Sequence, residues 1–395
     1  MHASAFLHAH AGNPDWRIAL AQCLAQLHSA SAARSALHGA AARPLRLGWC
    51  YLSDYYAADA AAIINTLRNE FPGVSWTGAA GVGVFASGVE YMDEPALALM
   101  LAPLPAESFR LFSGRQPLGA AAGTFVAHTA LVHADPGTPD LQELLGELAA
   151  RTASGYLFGG LTSSRRDSLQ IANDVLNGGL SGVAFAPQQD LLSRVTQGCQ
   201  PIGPSRTVTR CERNFVFTLD ERPALECLLE DTGLAANLPK RELIRALSGT
   251  LAGLRAERLD LPARPGQFGV DWVVRHLVGV DTRQQILAIA EQVEPGMQLS
   301  FCRRDPKSAL SDLVRIATEI RAELESEPSR RAAGAVYISC AGRGGAHFGA
   351  PHTELQTVKH ALGDLPLVGF FAGGEIARAN LYGYTGVLTV FTVPA

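Results

Sequence analysis

The sequence predicts an α+β protein with mixed, largely antiparallel sheets flanked by helices. Strand pairs and turn signals recur along the chain, whereas crossover helices are few, which favours antiparallel pairing over a doubly wound parallel sheet. One order of elements, strand, helix, strand with a glycine-rich bend, and strand, recurs along the chain. These observations predict two α+β halves built from repeated strand-helix-strand-strand units, with sheets inside and helices outside.

The composition fits a chain of two domains. Its 395 residues exceed what one hydrophobic core usually supports, and we place the domains at 1–222 and 223–395, with the boundary near Arg222. Hydrophobic residues make up 47% and charged residues 18%, which predicts a large core and few charged faces. The formal net charge of −4 argues against nucleic acid or an anionic membrane as the main partner.

The termini and the cysteines indicate a cytoplasmic protein. The N-terminal residues have neither a basic leader nor a long apolar run, so no signal peptide is expected. No segment reaches the roughly 20 apolar residues that a membrane-spanning helix needs. The seven cysteines are scattered and never spaced as CxxC, which is typical of a reducing compartment and predicts neither a disulfide framework nor a zinc site.

The first unit begins with a packing helix and continues through glycine bends. Ser53 or Asp54 is the expected N-cap of the second helix, and Phe71-Pro72-Gly73 follows its end. The predicted elements are a helix over 15–41, a strand over 45–52, a helix to Leu67, a strand and bend over 76–88, and a strand over 95–104.

The second and third units repeat this order. In the second, Asn177-Gly178 is expected to close a hairpin, since both residues tolerate positive φ. The predicted elements are strands over 125–133 and 155–164 around a helix over 140–151, then strands over 335–342, 366–376 and 385–393 with a helix over 353–362.

A different kind of sequence lies between the second and third units. A hairpin is expected across Glu212-Arg213, followed by a helix that starts at Pro223, is capped by Asp220 and ends at Gly233. A polar loop over 255–266 and strands over 272–281, 286–293 and 297–304 follow, and then a helix over 312–325. The apolar stripe of that last helix predicts core packing; it consists of Leu313, Ile316, Ile320 and Leu324.

Two stretches near the C-terminus contain the candidate functional residues. In 337–349 and 365–376 a buried strand runs into a glycine-rich bend, and the bends contain one charged residue each, Arg343 and Glu375. A charge beside an apolar strand costs several kcal/mol unless it is paired or faces a ligand, so both residues need a partner. The pair could be a structural ion pair, or the polar centre of a ligand site.

Several motifs carry a resemblance to a known family. The segments are SCAGRG, VGFFAGGEI and LYGYTGVLTVF near the C-terminus, FGGLTSS at 158–164, NGGLSGVAF at 177–185, QGCQPIGPSRTVT at 197–209, RPALECL at 222–228 and FGVDWVVRHLVGVD at 268–281. Together they resemble the FIST family, a sensory module of bacterial and eukaryotic signalling proteins, over nearly the whole chain.

The resemblance implies a sensor of small molecules. An arginine and a glutamate at neighbouring bends would suit an amino acid, bound by Arg343 and Glu375. The glycines would provide room and backbone amides, and two aromatic residues an apolar wall; these are Gly342, Gly344, Gly373, Gly374, Phe370 and Phe371. A separate signalling protein would receive the output, because the sequence contains no recognisable kinase, cyclase or DNA-binding segment.

Other functions remain open at this stage. Cys340, followed by His347, His352 and His360, could form a hydrolase nucleophile with its base, although a cysteine in an apolar strand is usually buried and inert, so no enzyme is predicted. A scaffold for protein interactions with a vestigial pocket is a further alternative. Proteins resembling the family also include haem-binding sensors of nitric oxide, so haem is an alternative cofactor; the candidate ligands are His128, His133, His276, His347 and His352.

Overall fold

The computed structural model describes residues 6–39, 42–119, 125–235, 237–256 and 271–395. By its contacts the chain divides into unit 1, Met1–Val195 with Leu313–Ala395, and unit 2, Thr196–Asp312. Unit 1 therefore contains segments from both predicted sequence halves. The predicted boundary near Arg222 divides the sequence into two consecutive domains, which is a different division from these contact units, and it stays a prediction. Most of the loop predicted over 255–266 lies outside the described residues.

The described residues form an α+β fold with helices and mixed sheets, as predicted. The helices are α1 (Trp16–His38), α2 (Ala60–Glu70), α3 (Leu141–Ala150), α4 (Ala224–Thr232), α5 (Lys240–Leu247), α6 (Pro306–Ser326) and α7 (Thr353–Leu362). The strands up to the end of the first segment of unit 1 are β1 (Leu7–Gly12), β2 (Leu47–Ser53), β3 (Ser75–Gly81), β4 (Gly83–Ala86), β5 (Val89–Met92), β6 (Ala96–Ala102), β7 (Phe109–Ser113), β8 (Thr129–Ala134), β9 (Tyr156–Leu161), β10 (Leu169–Ala172), β11 (Asp174–Asn177), β12 (Leu180–Phe185) and β13 (Leu191–Thr196).

The remaining strands belong to unit 2 and to the C-terminal segment of unit 1. Those of unit 2 are β14 (Cys199–Pro201), β15 (Arg206–Glu212), β16 (Phe215–Leu219), β17 (Arg222–Pro223), β18 (Thr250–Arg255), β19 (Val273–Asp281), β20 (Ile286–Ile289) and β21 (Gln298–Arg304). Those of unit 1 are β22 (Arg330–Cys340), β23 (Leu367–Ala372), β24 (Glu375–Arg378), β25 (Asn380–Tyr382) and β26 (Gly386–Pro394).

Unit 1 consists of three repeats that exchange hairpins. Repeat A is β2–α2–β3–β4–β5–β6, repeat B is β8–α3–β9–β10–β11–β12, and repeat C is β22–α7–β23–β24–β25–β26. In each, the first strand pairs parallel with the second and antiparallel with the last. The short hairpin of each repeat joins another repeat: β4 pairs with β23, β10 with β3, and β24 with β9. The exchange is cyclic and yields three six-stranded sheets.

One glycine in the second strand of each repeat allows the parallel strands to approach. A Cβ at Gly78, Gly159 or Gly369 would lie 1.9, 1.9 or 1.7 Å from a carbonyl oxygen of the neighbouring first strand. No side chain larger than hydrogen fits there without moving the backbone. These glycines are therefore equivalent positions in the three repeats, although the surrounding side chains differ.

Helices cover the outer faces of the three sheets. The side chain of Asp15 caps α1 by accepting a hydrogen bond from the Arg17 amide at 2.9 Å. The first sheet packs against α1 and α2, the second against α3, and the third against α6 and α7. The predicted core stripe of α6 is confirmed: Leu313, Ile316 and Ile320 are fully buried.

Unit 2 is an antiparallel sheet that closes on itself. Its pairings run β21–β15–β16–β20–β19–β18 and return to β21, with β14 added at β21. The predicted hairpin across Glu212-Arg213 is confirmed, and Arg213 has the positive φ, 53°, of its turn. The core lies against α4 and α5.

Three local predictions are wrong because the residues have other partners. Asp54 does not cap α2; it starts a short 3-10 turn over 54–59, and its carboxylate binds the backbone and side chain of Arg165. Asp220 does not cap α4, because its carboxylate accepts the amide of Thr207 at 2.8 Å, whereas Gly233 does end that helix with φ of 68°. Gly178 has the expected positive φ, but the turn joins β11 to β12 in different sheets and closes no hairpin.

Candidate functional site

The two predicted bends lie side by side in repeat C. Parallel pairing of β22 with β23 places Cys340 opposite Ala372, so Arg343 and Glu375 follow neighbouring strand ends. The bend at Gly373 is exposed, whereas Gly342 and Gly344 are half-buried and Gly374 is buried. The sequence argument therefore identified two segments that the fold brings together.

Arg343 is paired with a glutamate that the sequence argument did not select. Only 1% of Arg343 is exposed, and its Nε and Nη2 lie 2.9 and 2.8 Å from Oε1 of Glu354. Glu354 stands in the first turn of α7 and also accepts hydrogen bonds from Tyr337 Oη at 2.6 Å and from Ser339 Oγ. Burial lowers the pKa of Arg343, but the charge and hydrogen bond of Glu354, together with Tyr337 and Glu375, outweigh burial, and the pKa lies above its usual range. The partner of Arg343 is thus Glu354 and not Glu375.

Glu375 is fully buried without a guanidinium bound to it. Its Oε2 accepts hydrogen bonds from the amide of Thr385 at 3.1 Å and from its Oγ1 at 2.8 Å. Its Oε1 accepts no hydrogen bond of ordinary geometry from the residues that the structure describes. Burial raises the pKa of Glu375 to about 8, against the opposing effects of Thr385, Arg343 and the Cys340 thiol. The carboxyl group is therefore mainly protonated at pH 7.

The two phenylalanines predicted as an apolar wall lie in the core of unit 1. Phe370 stacks on Tyr51 with ring centroids 5.2 Å apart, and Phe371 meets Phe85 edge-on at 5.0 Å. Both phenylalanines are completely buried. They support the strand behind the bend, and neither presents a ring to solvent.

A buried hydrogen bond between repeats A and B lies against Phe370. The hydroxyl of Tyr51 is 3.1 Å from Nε2 of His133, and the ring of His133 is 5.9 Å from that of Phe370. Burial lowers the pKa of His133 to about 3, so the imidazole is neutral. All three repeats thus contribute a ring to one buried cluster.

Cys340 is buried, and its surroundings disfavour the thiolate. Burial, followed by the neighbouring Glu375, raises the pKa of Cys340 to about 12. A thiol nucleophile needs the opposite shift. The predicted burial of Cys340 is confirmed, and the geometry gives the hydrolase alternative no support.

The histidines considered as haem ligands have other roles or lie at the surface. Nε2 of His133 is hydrogen-bonded to the hydroxyl of Tyr51, and Nδ1 of His352 accepts a hydrogen bond from the amide of Glu90 at 3.1 Å. His128 and His276 are exposed. Within the described ranges no group of three or more His, Cys, Asp or Glu residues could hold a metal ion.

Comparison with family models decides the relationship. The model of the FIST N domain matches residues 46–222, and that of the FIST C domain matches residues 224–378. The chain belongs to the FIST family. The presence of both FIST domains is consistent with a role as a sensory module in signal transduction.

Relatives of this FIST protein occur in mycobacteria. The uncharacterized protein Rv0628c of Mycobacterium tuberculosis is 32% identical over 329 residues, which cover 80% of this chain and 82% of the relative. The uncharacterized protein Mb0898c of Mycobacterium bovis is 31% identical over 353 residues, 84% of this chain and 86% of the relative. The similarity therefore extends through both FIST domains.

Sequence reasoning missed the residues that complete the site of the FIST protein. Glu354 follows Arg343 by 11 residues, just inside a predicted helix, and Thr385 follows Glu375 by 10 residues, at the start of a predicted strand. The sequence signal that could have identified Glu354 and Thr385 is that each is a polar residue next to the boundary of a predicted element. In the part of the chain that the structure describes, no helix is long and apolar enough to cross a membrane.

Proposed function

We propose that this FIST protein is a sensory protein that binds a small ligand and does not act as an enzyme, with Glu375 recognising an amine or hydroxyl group. The observation that supports it is Oε1 of Glu375, a buried oxygen that accepts no hydrogen bond of ordinary geometry from the described residues, beside the exposed bend at Gly373. A buried polar atom left without a partner costs about 1 to 3 kcal/mol, so a ligand group that bonds Oε1 would be favoured there: a hydroxyl oxygen for the neutral acid, or an ammonium group for the carboxylate. The proposal concerns the same bends that the sequence selected.

Amino acids are the proposed ligand class, because their ammonium group has the donors that Glu375 lacks. Arg343 is held by Glu354 and would not grip the ligand carboxylate unless that pair opened. Simple amines are the natural comparison, since they test the ammonium contact alone.

Protonation of Glu375 would be linked to binding. With a pKa of about 8 the carboxyl group is neutral at pH 7, whereas an ammonium group favours the carboxylate. An amine-bearing ligand should therefore displace a proton, and its affinity should rise as the pH approaches 8. A ligand that binds Glu375 through a hydroxyl group would show neither effect.

Calorimetric titration tests the proposal. The twenty amino acids and ethanolamine would be titrated at pH 7 in two buffers of different ionisation enthalpy, which reports proton release. For any ligand found, Glu375→Gln should weaken binding by roughly 1.5 to 3 kcal/mol, or about 10- to 150-fold. Glu90→Gln is a matched control, because Glu90 is another buried glutamate of unit 1 and its Oε1 binds the amide of His352. Equal affinity of wild type and Glu375→Gln, or equal losses in both variants, would refute the role of Glu375.

The cellular location and the signalling partner are part of the same proposal. We place the protein in the cytoplasm, supported by seven cysteines that are all free. The bound state would pass to a separate signalling protein. The haem, hydrolase and scaffold alternatives have no specific contact in their favour, and the absorption spectrum of the purified protein tests haem directly.

A further inference from the structure

A pocket in unit 1 lies at the opposite end of β9 from Glu375. Glu375 pairs with Gly160 near the end of β9, whereas the pocket is lined by Tyr156 at its start and by Thr129 at the start of β8. Four residues of extended strand separate the two positions on β9 by about 13 Å. The pocket has a volume of about 240 Å³, which is room for a small molecule. It is independent of the function proposed at Glu375.

Three hydroxyl groups form a chain in the lining of this pocket. Tyr156 Oη donates to Ser193 Oγ at 3.0 Å, and Ser193 Oγ is 2.8 Å from Thr389 Oγ1. Three hydroxyls have three hydrogens, and the two bonds between them use two. If Thr389 donates the second bond, the hydrogen of Ser193 remains for an acceptor in the pocket; if Ser193 donates it, the remaining hydrogen is that of the buried Thr389. In both cases the oxygens of Tyr156 and Ser193 keep lone pairs for donors.

The charged residues of the pocket are already neutralised. Arg194 donates to Glu323 Oε2 at 2.5 Å, and its Nε lies 3.6 Å from Glu319 Oε2. Asp190 accepts hydrogen bonds from Arg330 and from Thr392 Oγ1. An anionic ligand would compete with two glutamates for Arg194, and a cationic ligand would compete with an arginine for Asp190. The lining therefore favours an uncharged ligand.

Aromatic surface lies beside the hydroxyl chain. The half-buried ring of Tyr156 provides this surface, because Phe158 lines the pocket but is only 1% exposed. His128 and Pro187 stand at the exposed edge. A ligand with both C–H faces and hydroxyl groups would pack on the aromatic ring and form hydrogen bonds with the hydroxyl chain.

We propose that this pocket binds a neutral polyhydroxylated molecule of about the size of a monosaccharide. The hydroxyls of Tyr156 and Ser193 exchange hydrogen bonds with the ligand, the fully buried Thr389 ends the hydroxyl chain, and the ring of Tyr156 packs on the C–H faces of the ligand. The paired state of Arg194 and Asp190 discriminates against charged molecules of similar size.

Ligand-observed NMR on the full chain tests the proposal. D-glucose and myo-inositol serve as neutral probes, with acetate and ethanolamine as charged comparisons at the same concentration, and saturation transfer and titration give the dissociation constants. All measurements use a Glu375→Gln background, because ethanolamine also probes the site proposed at Glu375. Both neutral probes, or one of them, should bind more tightly than acetate and ethanolamine. Tyr156→Phe keeps the ring and removes one hydroxyl, so the affinity should fall about 3- to 10-fold, and Ser193→Ala, which breaks the chain, should cost at least as much.

Tyr55→Phe is the matched control, because it removes the hydroxyl of a tyrosine of unit 1 whose partner is the Asp93 carbonyl, away from the pocket lining. It should leave the affinity unchanged. If Ser193→Ala does not fold, Tyr156→Phe alone decides. The proposal is overturned if neither neutral probe binds, if acetate or ethanolamine binds as tightly, or if Tyr156→Phe binds the neutral probe as wild type does.

Discussion

Glu354 and Glu375 are both buried, but only one of them neutralises an arginine. Glu354 accepts donors from Tyr337, Ser339 and Arg343, whereas Glu375 accepts two from Thr385 and keeps one oxygen without a donor of ordinary geometry in the described chain. The sequence argument was right that the buried charge of Arg343 needs a partner. It could not name Glu354, because only the packing of α7 against β22 brings that carboxylate to Arg343.

The first prediction at this scale compares two Glu→Gln substitutions in one repeat. Glu354→Gln leaves the buried guanidinium of Arg343 without a counter-charge, so we expect a loss of about 3 to 5 kcal/mol in the free energy of unfolding. Glu375→Gln replaces a mainly neutral acid by a neutral amide and also removes the cost of holding a proton that the unfolded chain releases above pH 4.5, so at pH 7 the free energy of unfolding should fall by less than about 1 kcal/mol or should rise. Urea unfolding of the ligand-free proteins measures both. A larger loss for Glu375→Gln than for Glu354→Gln would mean that the ion pair is assigned to the wrong glutamate.

The second prediction concerns pH and follows from the raised pKa of Glu375. Between the ordinary value of 4.5 and about 8, the folded protein holds a proton that the unfolded chain has released. Stability from this group therefore falls as pH rises through that window, by at most about 1.4 kcal/mol per pH unit. In Glu375→Gln this dependence is absent, so the variant should gain stability relative to wild type between pH 6 and pH 8.

Urea midpoints of both proteins at pH 6, 7 and 8 check the pH prediction. Other titrating groups, such as the half-buried His8 and His10, are present in both proteins and cancel in the difference. A constant difference between the two proteins across this range would show that Glu375 titrates at an ordinary value.

At the scale of elements, local chemistry predicted backbone conformation better than it predicted partners. Gly178 and Gly233 have the positive φ that their sequence contexts indicate. The pairing of the strands on either side of Gly178 depends on other segments of the chain. Strand β11 pairs with β10, and β12 pairs with β7 and β8. The cap predictions at Asp54 and Asp220 were wrong for the same reason, because both carboxylates have partners far away in the sequence. Turn and cap signals contain no information about such partners.

At the scale of the whole chain, the sequence predicted the fold class and the recurrence of one unit. It did not predict that the hairpins would be exchanged, since the choice between pairing within a repeat and between repeats depends on contacts far apart in sequence. The exchange has a physical consequence within unit 1. Because β23 holds β4 of repeat A, and β9 of repeat B holds β24 of repeat C, no repeat has a sheet composed of its own strands alone.

The last prediction is that the three repeats of unit 1 unfold together. Gly369→Ala would place a methyl group 1.7 Å from the carbonyl oxygen of Tyr337 in repeat C, and we expect a loss of roughly 2 to 4 kcal/mol. If the exchange couples the repeats, amide hydrogen exchange should lose protection in β3 and β9 by the same free energy as in β23. Gly146→Ala in α3 is the control, because a Cβ there meets open space and alanine favours the helix. Loss of protection confined to β22, β23 and β26 would show instead that repeat C opens by itself, and that the exchanged hairpins do not transmit its destabilisation.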